Sequence, residues 1–88
     1  MKLTDGALVV DNNGEEYIIT VGKAAKKFSG MLKLNKTAAF IAHTLQEDVG
    51  RDDVINKILE KYDVSREDAS KSVDSVIGQL SSLGLLDE

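Results

Sequence analysis

The apolar residues of this chain change period once, at Leu34-Asn35, and that change constrains the fold more than any other feature. Before it, apolar side chains alternate with polar ones, the period of strands. After it they recur every three or four residues, the period of helices. A chain built this way places its sheet first and its helices after it.

In the first part, Ala7 to Asn12 and Glu15 to Val21 are rich in β-branched and aromatic residues and flank Asn13-Gly14. That pair readily takes the positive φ angles of a type I′ turn, which predicts a hairpin. A two-residue turn sets Val10 opposite Tyr17 and Leu8 opposite Ile19. Leu8, Val10, Tyr17, Ile19 and Val21 then share one face, and Val9, Ile18 and Thr20 the other. One of the two packs inward. The same register faces Asp11 with Glu16, a like-charge pair of small cost, so a turn one step longer is the alternative, and the hairpin stands with either. After Gly22 the segment Lys23 to Lys27 is polar, and Phe28 to Leu34 alternates again, predicting a third strand weakened at Gly30.

In the second part, Asn35 is placed to cap a helix of about Lys36 to Asp48, with Ala38, Ile41, Ala42 and Leu45 on one stripe and Gly50 as the stop. A second helix spans about Arg51 to Tyr62, with Asp52 and Asp53 in its positive first turn. Ser65 and Asp68 form a capping-box pair that opens a third helix, which carries Ala69, Val73, Val76, Ile77, Leu80 and Leu83 and stops at Gly84. No amphipathic helix buries its stripe alone, so the three pack on one another and the sheet closes the remaining side. The expected fold is α+β, a three-stranded antiparallel sheet followed by a three-helix bundle (β-β-β-α-α-α), and it resembles a winged-helix domain with its sheet at the front.

Length and composition narrow the function. With 88 residues the chain is expected to form one domain over 1–88. A domain of that size buries only about 60% of its unfolded surface and has little volume for an enclosed substrate pocket. It holds no cysteine and a single histidine, which excludes thiolate chemistry and leaves acid-base catalysis poorly supplied. His43 reads as a structural residue, since no second His or Cys accompanies it as a metal ligand. No apolar run is long enough to span a membrane and no export signal opens the chain, so the expected compartment is the cytoplasm. A binding module is favoured over an enzyme, with no cofactor or metal.

Charge is divided unevenly. Residues 1–44 carry 6 basic and 4 acidic side chains, a net of +2, and residues 45–88 carry 5 and 11, a net of −6. Lys23, Lys26, Lys27, Lys33 and Lys36 form the one basic patch, with no Asp or Glu between Gly22 and Thr44. A lysine run is usually a solvated face, but this one borders the third strand. Nucleic-acid binding is the rival that the fold suggests, since winged-helix domains insert their third helix into the major groove. Here that helix would carry Glu67, Asp68 and Asp74 against Arg66 and Lys71, which is no footprint for phosphates. Asp74-Ser75-Val76 is similar to the serine attachment site of acyl carrier proteins, but Ser75 falls inside the last helix rather than at a helix start.

Leu34-Asn35, Thr37-Ala38 and Ile41 resemble the LN-x-TA-x-x-I signature of the coenzyme PQQ synthesis protein D family. The resemblance extends through Val54-Ile55, Tyr62-Asp63-Val64, Val73, Val76, Ile77, Leu80 and the closing Gly84-Leu85-Leu86. The chain departs from the family pattern at Ser72, where Asp is frequent, at Val76, where an aromatic is frequent, and at Gly50, where Thr is common. The resemblance implies a non-catalytic element that holds the leader segment of a ribosomally made precursor peptide and presents it to a modifying enzyme, often a radical S-adenosylmethionine enzyme. In that family the leader adds as a strand to the third strand and reaches into a cleft against the third helix. Transferred residue by residue, the edge is Phe28, Ser29, Gly30, Met31, Leu32 and Lys33, and the helix side is Ser70, Val73, Asp74, Ile77 and Ser81. An uncovered edge strand can also pair with a copy of itself, so a weak homodimer would compete with peptide, while a monomer is expected in dilute solution.

Overall fold

Asn13 and Gly14 turn the chain with φ of 57° and 83°, the left-handed pair of a type I′ hairpin. The computed structural model, which describes residues 1–87, joins across this turn strands β2 (Ala7–Asn12) and β3 (Glu15–Thr20), after a short β1 (Lys2–Leu3). Their register pairs Val10 with Tyr17 and Leu8 with Ile19, as the turn length requires. A one-turn helix α1 (Ala24–Lys27) follows, then β4 (Met31–Leu34), which pairs antiparallel with β3. The sheet order is β2-β3-β4.

Three helices complete the chain: α2 (Lys36–Thr44), α3 (Arg51–Lys61) and α4 (Arg66–Ser82), before a terminal β5 (Leu86–Asp87). Each start follows a local signal. Asn35 Oδ1 accepts the Ala38 N–H at 2.8 Å, Ser65 Oγ accepts the Asp68 N–H at 3.0 Å, and Asp53 Oδ2 accepts the Gly50 N–H at 2.9 Å. The end of α4 is a Schellman turn. Gly84 sits at φ 73°, its N–H donates to the Ser81 carbonyl and the Leu85 N–H to the Leu80 carbonyl.

The core lies between the inner face of the sheet and the helices. Ile18, Ile41, Leu45, Ile55, Leu80 and Leu85 are fully enclosed in it. Ile18 fixes the inward face of the hairpin as that of Val9 and Ile18. The face with more apolar residues turns outward, leaving Leu8 45% and Val21 50% exposed.

The structure corrects the expected elements in three places. The third strand begins at Met31, not Phe28, because Lys23–Lys27 is not a loop. Ala24 is buried, α1 forms around it, and Gly30 at φ 125° breaks the extended path before the strand. The first long helix stops at Thr44 rather than Asp48. The carbonyl of Leu45 is taken by the Leu3 N–H at 2.8 Å, and the Val49 N–H bonds the Met1 carbonyl instead of continuing the helix. The cause of both is the unexpected ribbon of β1 and β5, which pairs Leu3 with Leu86 and ties the start of the chain to its end.

Candidate functional site

The parity of the ladder decides what β4 offers to solvent. In an antiparallel sheet, residues along one strand alternate between bonding one neighbour and bonding the other. The Val21 N–H donates to the Gly6 carbonyl, on the β2 side, so odd-numbered residues of β3 bond β2 and Glu16 and Ile18 bond β4. Glu16 is opposite Leu34, and Ile18 opposite Leu32. The backbone groups of Leu32 and Leu34 are therefore used inside the sheet, and those of Met31 and Lys33 point to the open edge. Their side chains lie on the outer face and are exposed, Met31 by 58%, whereas Leu32 and Leu34 turn toward the helices.

The residues that flank this strand both reach α4. Lys27, just before the strand, packs so closely on Gly84 that a Cβ there would lie 2.9 Å from Lys27 Cδ. Asn35, just after the strand, shares a groove of about 290 Å³ with Thr37, Ala38, Lys71, Ser72, Ser75 and Val76. The segments on either side of the strand thus touch α4, Lys27 just past its end and Asn35 near its middle, and the flank of α4 that meets Asn35 is the one bearing Ser72, Ser75 and Val76. Two of the three departures from the family pattern, Ser72 and Val76, line this groove.

The residues expected at the site from the sequence are not all brought together. Met31, Leu32 and Lys33 form the edge strand. Phe28 is half-buried against the core, with its carbonyl accepting the Thr20 hydroxyl at 2.6 Å. Ser29 and Gly30 are exposed in the link between α1 and β4. Val73 is fully buried in the core. Asp74 is bound by Arg51 of α3, through Nε to Oδ1 at 2.7 Å and Nη2 to Oδ2 at 2.9 Å. By the helical period Ser70, Ile77 and Ser81 share the flank of Asp74, which faces α3 and not β4. The apolar stripe of α4 has two flanks, and the stripe alone does not say which one borders the edge strand. Asn35, Ser72, Ser75 and Val76, which line the groove, are not among the residues expected at the site. Asn35 was legible as a cap, and its place just after the edge strand puts it at the groove as well.

The outer face near the edge is polar on one side and apolar on the other. Glu15 accepts the Tyr17 hydroxyl at 2.7 Å and receives Lys33 Nζ at 3.3 Å. The Tyr17 hydroxyl first and Lys33 second hold the Glu15 carboxyl below the usual carboxylate range, and Glu15 in turn pushes the Tyr17 phenol up. Lys23, Lys26, Lys27 and Lys36 are exposed and form no ion pair among the described residues. His43 bonds Glu16 through Nε2, which fixes α2 to β3. No described helix is long and apolar enough to cross a membrane.

Comparison with known proteins gives a family and a fold. The family profile described as coenzyme PQQ synthesis protein D (PqqD) matches residues 8–86. A search of curated protein sequences returns no match. Among solved structures, TbiB1 in complex with the TbiA(beta) leader peptide is similar with a TM-score of 0.79 and 17% identity, over 99% of this chain and 95% of that one. Lasso peptide synthetase B1 complexed with the leader peptide is similar with a TM-score of 0.74 and 23% identity, over 96% and 93%.

Proposed function

This chain belongs to the PqqD family, and we propose that it binds the leader segment of a ribosomally made precursor peptide as a fourth strand on β4. The observation that carries the proposal is the edge itself. Met31 and Lys33 present unused N–H and C=O groups, and past the end of the strand a groove with hydroxyl and apolar walls opens between Asn35 and α4. An extended peptide satisfies the first with its backbone and fills the second with alternate side chains. Both structural neighbours hold leader peptides, which supports the reading.

The domain acts by holding and presenting the peptide, not by catalysis. Its groove is shallow and carries hydroxyls and one lysine, with no acid-base pair. Its partners are the precursor and the enzyme that modifies it, of the radical S-adenosylmethionine class by family resemblance. It works in the cytoplasm and as a monomer in dilute solution. Binding of nucleic acid gains no support, because Lys71 of α4 is paired with Glu67, and Arg66, the one other cation of that helix, stands against Asp68 and Asp74 and makes no basic face.

Isothermal titration against the precursor encoded beside this gene tests the proposal. Heat of binding saturating in the micromolar range is expected. Absence of heat at high micromolar peptide, with the protein folded, would overturn it.

A further inference from the structure

The outer face of the sheet is organised in cross-strand rows that run to the open edge and stop there. One row is Leu8, Ile19 and Met31, apolar throughout. The next is Val10, Tyr17 and Lys33, which ends on a cation. Side chains directly opposite one another on adjacent strands interact, so each row has a preferred next member. Met31 has an apolar neighbour, Ile19, on one side and solvent on the other, which is why it is 58% exposed. Lys33 has Glu15 on its inner side at 3.3 Å, and no Asp or Glu occurs between Gly22 and Thr44 to meet it from the edge.

We infer that the peptide strand bound at β4 carries an acidic side chain beside Lys33 and, two residues later, an apolar side chain beside Met31, both on the outer face. This rests on the strand-addition reading above and names the peptide chemistry that the edge selects. The order follows from direction. Both existing pairings of the sheet are antiparallel, and a strand continuing them meets Lys33 before Met31. The residue between the two points inward, beside Leu32, and the residue before the acid faces the Asn35, Ser72 and Ser75 groove. Selection thus reads both faces of one short segment: the groove reads inward positions, and the two edge side chains read the outward ones.

The test uses overlapping synthetic peptides that tile the precursor encoded beside this gene, with binding followed by fluorescence anisotropy. The tightest tile is expected to contain the acid-x-apolar order. Exchanging those two residues should weaken it about tenfold, since both outward contacts are lost together. Lys33→Glu should weaken the original tile about fivefold, as for an exposed ion pair, and a tile with Lys in place of the acid should recover the loss on that variant. A tile that binds, is abolished by Met31→Pro and yet is indifferent to the exchange overturns this inference and leaves strand addition standing. A preference for the reversed order does the same. If no tile binds the folded protein, the leader-binding reading falls and this inference falls with it.

Discussion

Arg51 and Asp74 join the first turn of α3 to the middle of α4 by two side-by-side hydrogen bonds of 2.7 and 2.9 Å. The pair is exposed, yet its bidentate geometry locates one helix against the other. Arg51 lowers the Asp74 carboxyl below its ordinary range, chiefly by hydrogen bonding. A carboxyl depressed in the folded state contributes stability that is present above its unfolded pKa, about 3.9, and is lost as pH falls through the folded value. Asp74→Asn should therefore lower the melting temperature at neutral pH, and the difference from the parent should shrink in acid below that range. Thermal melts at pH 7 and in strong acid check this. Since Asp74 faces α3, the same variant should bind leader peptide as the parent does.

Met31→Pro should abolish peptide binding without unfolding the domain. Its N–H points to the open edge, so the ring removes no bond of the β3–β4 ladder. Leu32→Pro should do the opposite, because the Leu32 N–H is used against Ile18. Circular dichroism with titration of the precursor peptide separates the two, and a Met31→Pro protein that binds normally would place the peptide elsewhere.

Tyr17 should ionise above the usual value of about 10, because its hydroxyl donates a hydrogen bond to Glu15 at 2.7 Å and the carboxylate opposes the phenolate. Glu15→Gln should bring the phenol back down. An ultraviolet difference titration reads this, with Tyr62 as the second chromophore in both proteins. An unchanged titration curve would show that Glu15 does not hold Tyr17 in solution.

Three glycines with positive φ should respond to alanine in a fixed order. At Gly14 nothing lies within 4 Å of a new Cβ, so the cost is the backbone conformation alone, about 1 kcal/mol. At Gly84 the Cβ also meets the flexible Lys27 side chain, which can yield, so the cost should be somewhat larger. At Gly6 it would lie 2.3 Å from the Val21 carbonyl oxygen, a backbone atom that cannot move without disturbing the bond between Val21 and Gly6. Gly6→Ala should be the most damaging of the three, and urea denaturation ranks them.

Much of the fold was legible because it is locally encoded. The φ preferences of Asn13-Gly14 predicted a two-residue turn and its register, and the structure keeps that register despite the unfavourable pairing of Asp11 with Glu16 that had favoured a longer turn. Asn35 and Ser65 capped the helices they were expected to cap, and Gly84 ended the last one. The errors lie where a local pattern continued by coincidence. The alternation of Phe28, Gly30, Leu32 and Leu34 looked like one strand, but burial of Ala24 folds the preceding turn into α1 and Gly30 bends the chain.

The amino-acid sequence by itself determined the order of elements, the hairpin register and the helix caps, all set by residues within a few positions of one another. Three choices were left to tertiary structure. A period of two makes two faces and does not say which is inward, and packing chose the face of Ile18 and left Met31 and Lys33 outside. A helical stripe has two flanks, and the crossing of α3, held by Arg51, gave the Asp74 flank to α3 and the Ser72 and Ser75 flank to the groove at Asn35. Strands β1 and β5 are two residues each, too short to show any period. They exist only because folding brings Leu3 beside Leu86, where their backbone groups must be satisfied as Leu3 and Leu85 are buried.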